Sequence, residues 1–137
     1  MPGTKIEFNC NKIARIQGLD ELAALLFPGN RVQQKIFLAI FIEIKYAKGE
    51  FVPFLKPLCD KYGFSPRMLE TVRSKMRGMG MIDHVSRFNK SHGNREGWVF
   101  SSRFNHALKK LADLSQGFRD RKDVLQEGKD KDLFKYI

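Results

Sequence analysis

The chain has 137 residues, with 25 Lys and Arg against 15 Asp and Glu, for a formal net charge of +10. That length suits one domain with a tail and can bury a core without covalent or metal staples. The charge points to an anionic partner: nucleic acid, a membrane surface or an acidic protein. Cys10 and Cys59 are too few and too far apart for a disulfide framework.

The N-terminus "MPGTKIEFNCNK" has no uninterrupted apolar core of the kind a secretory signal needs. "KIEFN" reads as a short strand or an arm. In "GLDELAALLF", Asp20 and Glu21 fall in a first helical turn, and Leu19, Leu22, Leu25 and Leu26 form an apolar stripe. Pro28 and Gly29 end that helix. Asn30 can cap the next, "RVQQKIFLAIFIEIKYAK", which should stop before Gly49. Val32, Ile36, Ala39, Ile40, Glu43 and Ala47 trace one face, and Phe37, Phe41 and Ile44 broaden it. A helix so widely apolar is buried on several sides or shared with a second subunit. Its longest apolar run contains Glu43 and is shorter than the roughly 20 residues a membrane span requires. The expectation is a soluble, cytoplasmic protein in a reducing compartment, associated with the nucleoid if the source is prokaryotic.

Glu50 to Val52 reads as a short strand. Pro57 lacks an amide hydrogen and so opens a helix rather than sitting inside one, which places a short helix near Lys56 to Tyr62, ended by Gly63. After "GFS", Ser65 caps a second helix with Pro66 at its first position. Leu69, Val72, Met76 and Met79 form its inner stripe. Gly78 and Gly80 end it. "MIDHVSRF" and "WVFSSRF" read as two strands around the polar loop "NKSHGNREG". From about Ser102 a last helix should turn Phe104, Ala107, Leu108, Leu111 and Leu114 inward. "RDRKDVLQEGKDKD" is charged and poor in core formers, hence a mobile tail, with "LFKYI" apolar enough to dock somewhere.

Charge is uneven along the chain. Residues 61–90 carry seven basic and two acidic side chains, half of the net excess. The order is long helix, short strand, two helices joined by a tight turn, hairpin and closing helix. With "KIFLAIFIEIKYAKGEF", "LCDKYGFSPRMLETVRSKM" and "MGMI", it resembles the winged helix-turn-helix superfamily, particularly its archaeal and bacterial transcription regulators, from about Arg31 to Phe104. The resemblance implies a mainly α fold with a small β-hairpin wing. Residues 1–29 would be an N-terminal extension, 30–104 the core, 105–118 a C-terminal helix and 119–137 the tail. It also departs from the family pattern, because "FLKPLC" has a proline where an unbroken helix is usual.

That resemblance puts helix 66–79 in a major groove and hairpin 87–98 on the backbone or in a minor groove. The outer side of the helix would present Arg67, Glu70, Thr71, Ser74, Lys75 and Gly78. Arginine can bond guanine, and hydroxyls can meet phosphate or base edges. Arg73 and Arg77 would flank that face and contact phosphate. On the hairpin, Arg87, Lys90 and Arg95 would follow the backbone or enter a narrow groove. Ser65 can hold a phosphate at a helix start or simply cap it. Against these readings stand a solvated basic face and an ordinary polar loop. Trp98 and Phe100 read as residues packing the hairpin on the core, with stacking on an unpaired base as the sharper alternative.

No histidine spacing suits a metal, no glycine-rich phosphate loop stands in the right context, and Cys59 reads as a small buried hydrophobe. The function expected is therefore non-enzymatic, without a cofactor: double-stranded DNA binding by a homodimeric transcription regulator. The alternatives are a module that contacts proteins or a subunit of a replication or transcription assembly, using the C-terminal tail or the N-terminal segment, and a sequence-independent nucleic-acid binder.

Overall fold

A computed structural model describes residues 5–86 and 95–137. The chain divides into two units, Met1–Arg103 and Phe104–Ile137. It is mainly helical, with one small antiparallel sheet of three strands, an α+β architecture.

The first unit begins extended, with the Glu7 amide donating to the Leu25 carbonyl at 3.0 Å. No strand forms there. Instead the Asn9 side chain accepts from the amides of Asn11 and Lys12 and starts a one-turn helix, α1 (Cys10–Ala14), which the hydrophobic pattern is too short to reveal. Helix α2 (Leu19–Leu26) follows, and buries Ala23 and Leu26. Asn30 then caps α3 (Arg31–Tyr46), its side chain accepting from the Gln33 amide at 3.0 Å. Ile36, Phe37, Ala39, Ile40 and Ile44 of α3 are buried, whereas Val32 is half exposed. The helix is central because α2, α5 and the sheet all pack against it. A run of aromatic contacts marks its path, Phe27 to Phe37 at 5.6 Å, Phe37 to Phe41 at 5.7 Å and Phe41 to Phe100 at 5.0 Å between ring centroids.

After a 3-10 turn at Lys48–Glu50 come β1 (Phe51–Val52) and α4 (Pro57–Tyr62). Gly63 adopts a left-handed φ of 73°, which only glycine takes without cost, and lets the chain reverse within three residues into α5 (Pro66–Met79). Ser65 caps α5 by accepting from the Met68 amide at 3.1 Å. Gly80, at φ 84°, closes it. There the Gly80 amide donates to Arg77 and the Met81 amide to Met76, satisfying two carbonyls that a helix end would otherwise leave open.

Strands β2 (Ile82–Val85) and β3 (Gly97–Phe100) pair antiparallel, and β1 adds to the far side of β3, so the order is β1-β3-β2. The register sets Val52 opposite Trp98 and His84 opposite Trp98 from the other side. Gly97 is required by close approach. A Cβ there would lie 2.6 Å from the Val52 carbonyl oxygen and 2.9 Å from the Pro53 Cα. Cys59 is buried on α4, and Met76 and Met79 are core residues of α5, as their pattern indicates.

Helix α6 (Arg103–Asp120) is longer than expected, and the charged segment beyond it forms α7 (Val124–Asp132) and a 3-10 turn at Leu133–Tyr136. Asp123 caps α7, accepting from the Gln126 amide at 2.7 Å. No residue of α6 is buried: Leu111 is 64% exposed and Phe118 73%. The inward placement read for Ala107, Leu108, Leu111 and Leu114 is therefore corrected, while Phe104 at the start of the stripe is half-buried. Two helices and a turn supply too little apolar surface to enclose that stripe within residues 104–137.

Candidate nucleic-acid interface

The candidate surface is built on α5. Four inward side chains, Leu69, Val72, Met76 and Met79, fix the rotation of this helix. Their burial leaves Arg67, Glu70, Thr71, Ser74, Arg77 and Gly78 exposed along the opposite side. From Arg67 to Arg77 the stripe runs ten residues, about 15 Å at 1.5 Å per residue. Arg67 and Arg77, at its two ends, have no carboxylate partner among the described residues.

The hydroxyls between them are engaged within the helix. Thr71 Oγ1 donates to the Arg67 carbonyl at 3.1 Å, and Ser74 Oγ donates to Glu70 Oε1 at 3.2 Å. Each retains acceptor capacity, and each must rotate to donate to a phosphate. Ser65 is spent on capping.

The two remaining cations of α5 do not lie on that stripe. The Arg73 guanidinium sits 4.8 Å from the Trp98 ring centroid and pairs with Glu70. Burial lowers the Arg73 pKa from its ordinary value, and the charge of Arg77 adds to the effect. Lys75 is a correction. It points away from the outer face, donates to the Leu26 carbonyl at the end of α2, and lies 4.3 Å from the Phe27 ring centroid. Burial lowers its pKa as well. A cation over the last carbonyls of a helix is held by their partial negative charge, so Lys75 joins α5 to α2 and cannot also meet a ligand on the outer face.

On the hairpin, Arg87 and Lys90 lie outside the described residues. Arg95 is described and exposed, with its guanidinium 4.4 Å from the Phe51 ring centroid, which draws it toward β1. The His84 and Trp98 rings meet tilted, with centroids 4.8 Å apart and planes at 60°, and His84 Nε2 is 3.6 Å from Glu96. Trp98, 8% exposed, is a packing residue in contact with Arg73 and His84.

Two features were not foreseen. Arg103 pairs with Asp83 and donates to the Arg77 carbonyl at 3.5 Å, fastening the end of α5 to β2. Between the β1–α4 connection, α5 and the sheet lies a cleft of about 470 Å³, lined in part by the exposed Phe54 and Lys56. Its sequence signal was the pattern "VPFLKP", because prolines on both sides deny Phe54 a helix or a strand interior in which to bury its ring. Among the described residues no three His, Cys, Asp or Glu side chains converge as metal ligands, and no helix is long and apolar enough to cross a membrane.

No protein-family model, no curated protein sequence and no solved structure matches this chain.

Proposed function

We propose that the protein binds double-stranded DNA as a winged helix-turn-helix regulator, with α5 in the major groove and the β2–β3 hairpin against the backbone. The observation that carries this reading is the outer face of α5. Two cations with no acid partner among the described residues stand ten residues apart, about 15 Å of helix rise, on a capped helix, with hydroxyls between them. Lysine and arginine on such a face gain affinity by releasing the counterions condensed on DNA. The bidentate geometry of arginine also suits guanine in a major groove. A three-residue turn at Gly63–Ser65 joins α4 to α5, a connection of the length found in helix-turn-helix motifs. The exposed apolar stripe of α6 supports a homodimer, which would present two such helices to a two-fold target.

The test is fluorescence anisotropy on random duplex DNA across a salt series, for the wild type, Arg67→Ala, Arg77→Ala and Lys75→Met. Binding should weaken steeply with salt, and each arginine variant should lower the slope by about 1. Lys75→Met should leave the slope close to that of the wild type. Absence of binding at low salt, or equal slopes in all four proteins, overturns the proposal.

A second reading rests on a different observation. Val124, Leu125, Phe134, Tyr136 and Ile137 are all strongly exposed, as a segment that docks on another protein would be. DNA binding unchanged after removal of residues 121–137 would separate that role from the first.

A further inference from the structure

The cleft beside α5 has a chemistry that a simple phosphate channel does not need. Among its lining groups Arg73 pairs with Glu70, and His84 Nε2 lies 3.6 Å from Glu96. A channel lined for bare phosphate would not carry two carboxylates, because each repels the ligand. The cations left over are Lys56 and Arg77. Beside them stands Phe54, whose ring is 74% exposed although it borders a concave surface. An exposed aromatic ring next to spare cations and paired carboxylates offers a stacking face, a phosphate clamp and acceptors for the amino groups of a base edge. The volume of about 470 Å³ falls in the range of small-ligand sites and is of mononucleotide size.

We propose that this cleft binds a single nucleotide, the base against Phe54 and the phosphate on Arg77 and Lys56. Two sources share that chemistry: a free nucleoside monophosphate, and an unpaired nucleotide of a DNA strand. Because Arg77 belongs to both surfaces, the inference rests in part on the DNA-binding reading. In the second case the protein selects duplexes that carry an unpaired base; in the first, a nucleotide in the cleft competes with DNA for Arg77.

The chain has one tryptophan, Trp98, and it lines the cleft, so its fluorescence reports on occupancy. The wild type, Phe54→Ala and Lys56→Ala are titrated with guanosine monophosphate, with inorganic phosphate, and with duplexes that are blunt or carry one unpaired guanine. Both substituted side chains are exposed, so neither variant disturbs the core, and thermal melts confirm that they are folded. Saturable binding of the monophosphate, about tenfold weaker in Phe54→Ala, supports the site with a free nucleotide as its ligand. A preference of about tenfold for the duplex with the unpaired base, lost in Phe54→Ala, supports it with DNA as the source. Inorganic phosphate binding as tightly as the monophosphate, or no response to the monophosphate and no preference between duplexes, overturns the nucleotide site. In that last case, binding of the blunt duplex still reads the DNA-binding proposal separately.

Discussion

The guanidinium of Arg73 on α5 lies over the ring of Trp98 on β3, with 4.8 Å between the guanidinium carbon and the ring centroid. The contact joins the helix to the sheet at the wall of the cleft, and it removes from the outer surface a cation that the sequence alone offers to phosphate. A cation over an indole contributes about 0.5–1 kcal/mol when exposed and about 2 when desolvated. Arg73 is partly buried, so Arg73→Ala should cost about 1–2 kcal/mol, read as a lower midpoint in urea. Arg73→Lys keeps the charge but not the flat stacking group, and should recover only part of the loss. Full recovery by lysine would mean that charge alone matters there.

Lys75 occupies the corresponding position on the other flank. At 100° per residue, Arg73 and Lys75 each stand about 80° from the centre of the buried stripe, in opposite directions. Period alone cannot say which flank a neighbouring element covers. Both are covered, one by Trp98 and the other by the end of α2. That is why the outer face read from the sequence was correct for Arg67, Thr71 and Ser74 but not for Lys75. The boundaries were legible because they depend on local chemistry: Asn30 and Ser65 as caps, Pro66 in the first turn, Gly63 and Gly80 in left-handed conformations. Tertiary partners of flanking side chains have no such local signature. The α6 stripe was misread for a related reason, since amphipathicity states that a face wants cover and not that the chain supplies it.

The altered proton affinity of Lys75 gives a pH prediction. Burial disfavours its charged form, so the folded state binds this proton less tightly than the unfolded state, whose pKa is near 10.5. The unfolded state therefore carries more protons in the window just below 10.5, and stability rises with pH there. Titratable groups common to two variants cancel in a difference. The stability of the wild type relative to Lys75→Met should accordingly increase as pH climbs toward 10.5, as measured by urea unfolding at a series of pH values. A difference that falls with pH would mean that Lys75 is held more tightly as a cation in the folded state.

Gly97 tests the sheet that carries Trp98. A methyl group there must displace the Val52 carbonyl or the Pro53 backbone, and neither is the end of a flexible side chain. Gly97→Ala should cost about 2–3 kcal/mol, in the range of strained backbone substitutions. It should also blue- or red-shift the Trp98 emission, because β1 would separate from β3 next to it. An unchanged melting temperature would show that β1 gives way without loss.

The exposed face of α6 predicts self-association. Leu108, Leu111 and Phe118 recur at intervals of three and seven residues, a spacing that keeps them on one side of the helix. Fully burying such a side chain contributes about 1.5–3 kcal/mol, and no residue of the helix reaches full burial. Light scattering on the eluting protein should give twice the chain mass. Leu111→Glu places a charge at the most exposed leucine of the stripe and should return the mass to that of one chain. Since Leu111 is 64% exposed, the variant should fold. If each copy carries one α5, loss of the dimer should also weaken binding to a DNA site with two half-sites far more than to a single half-site. A wild type that elutes as one chain would instead leave the α6 face to a different protein, and would remove the two-fold target from the proposed DNA complex.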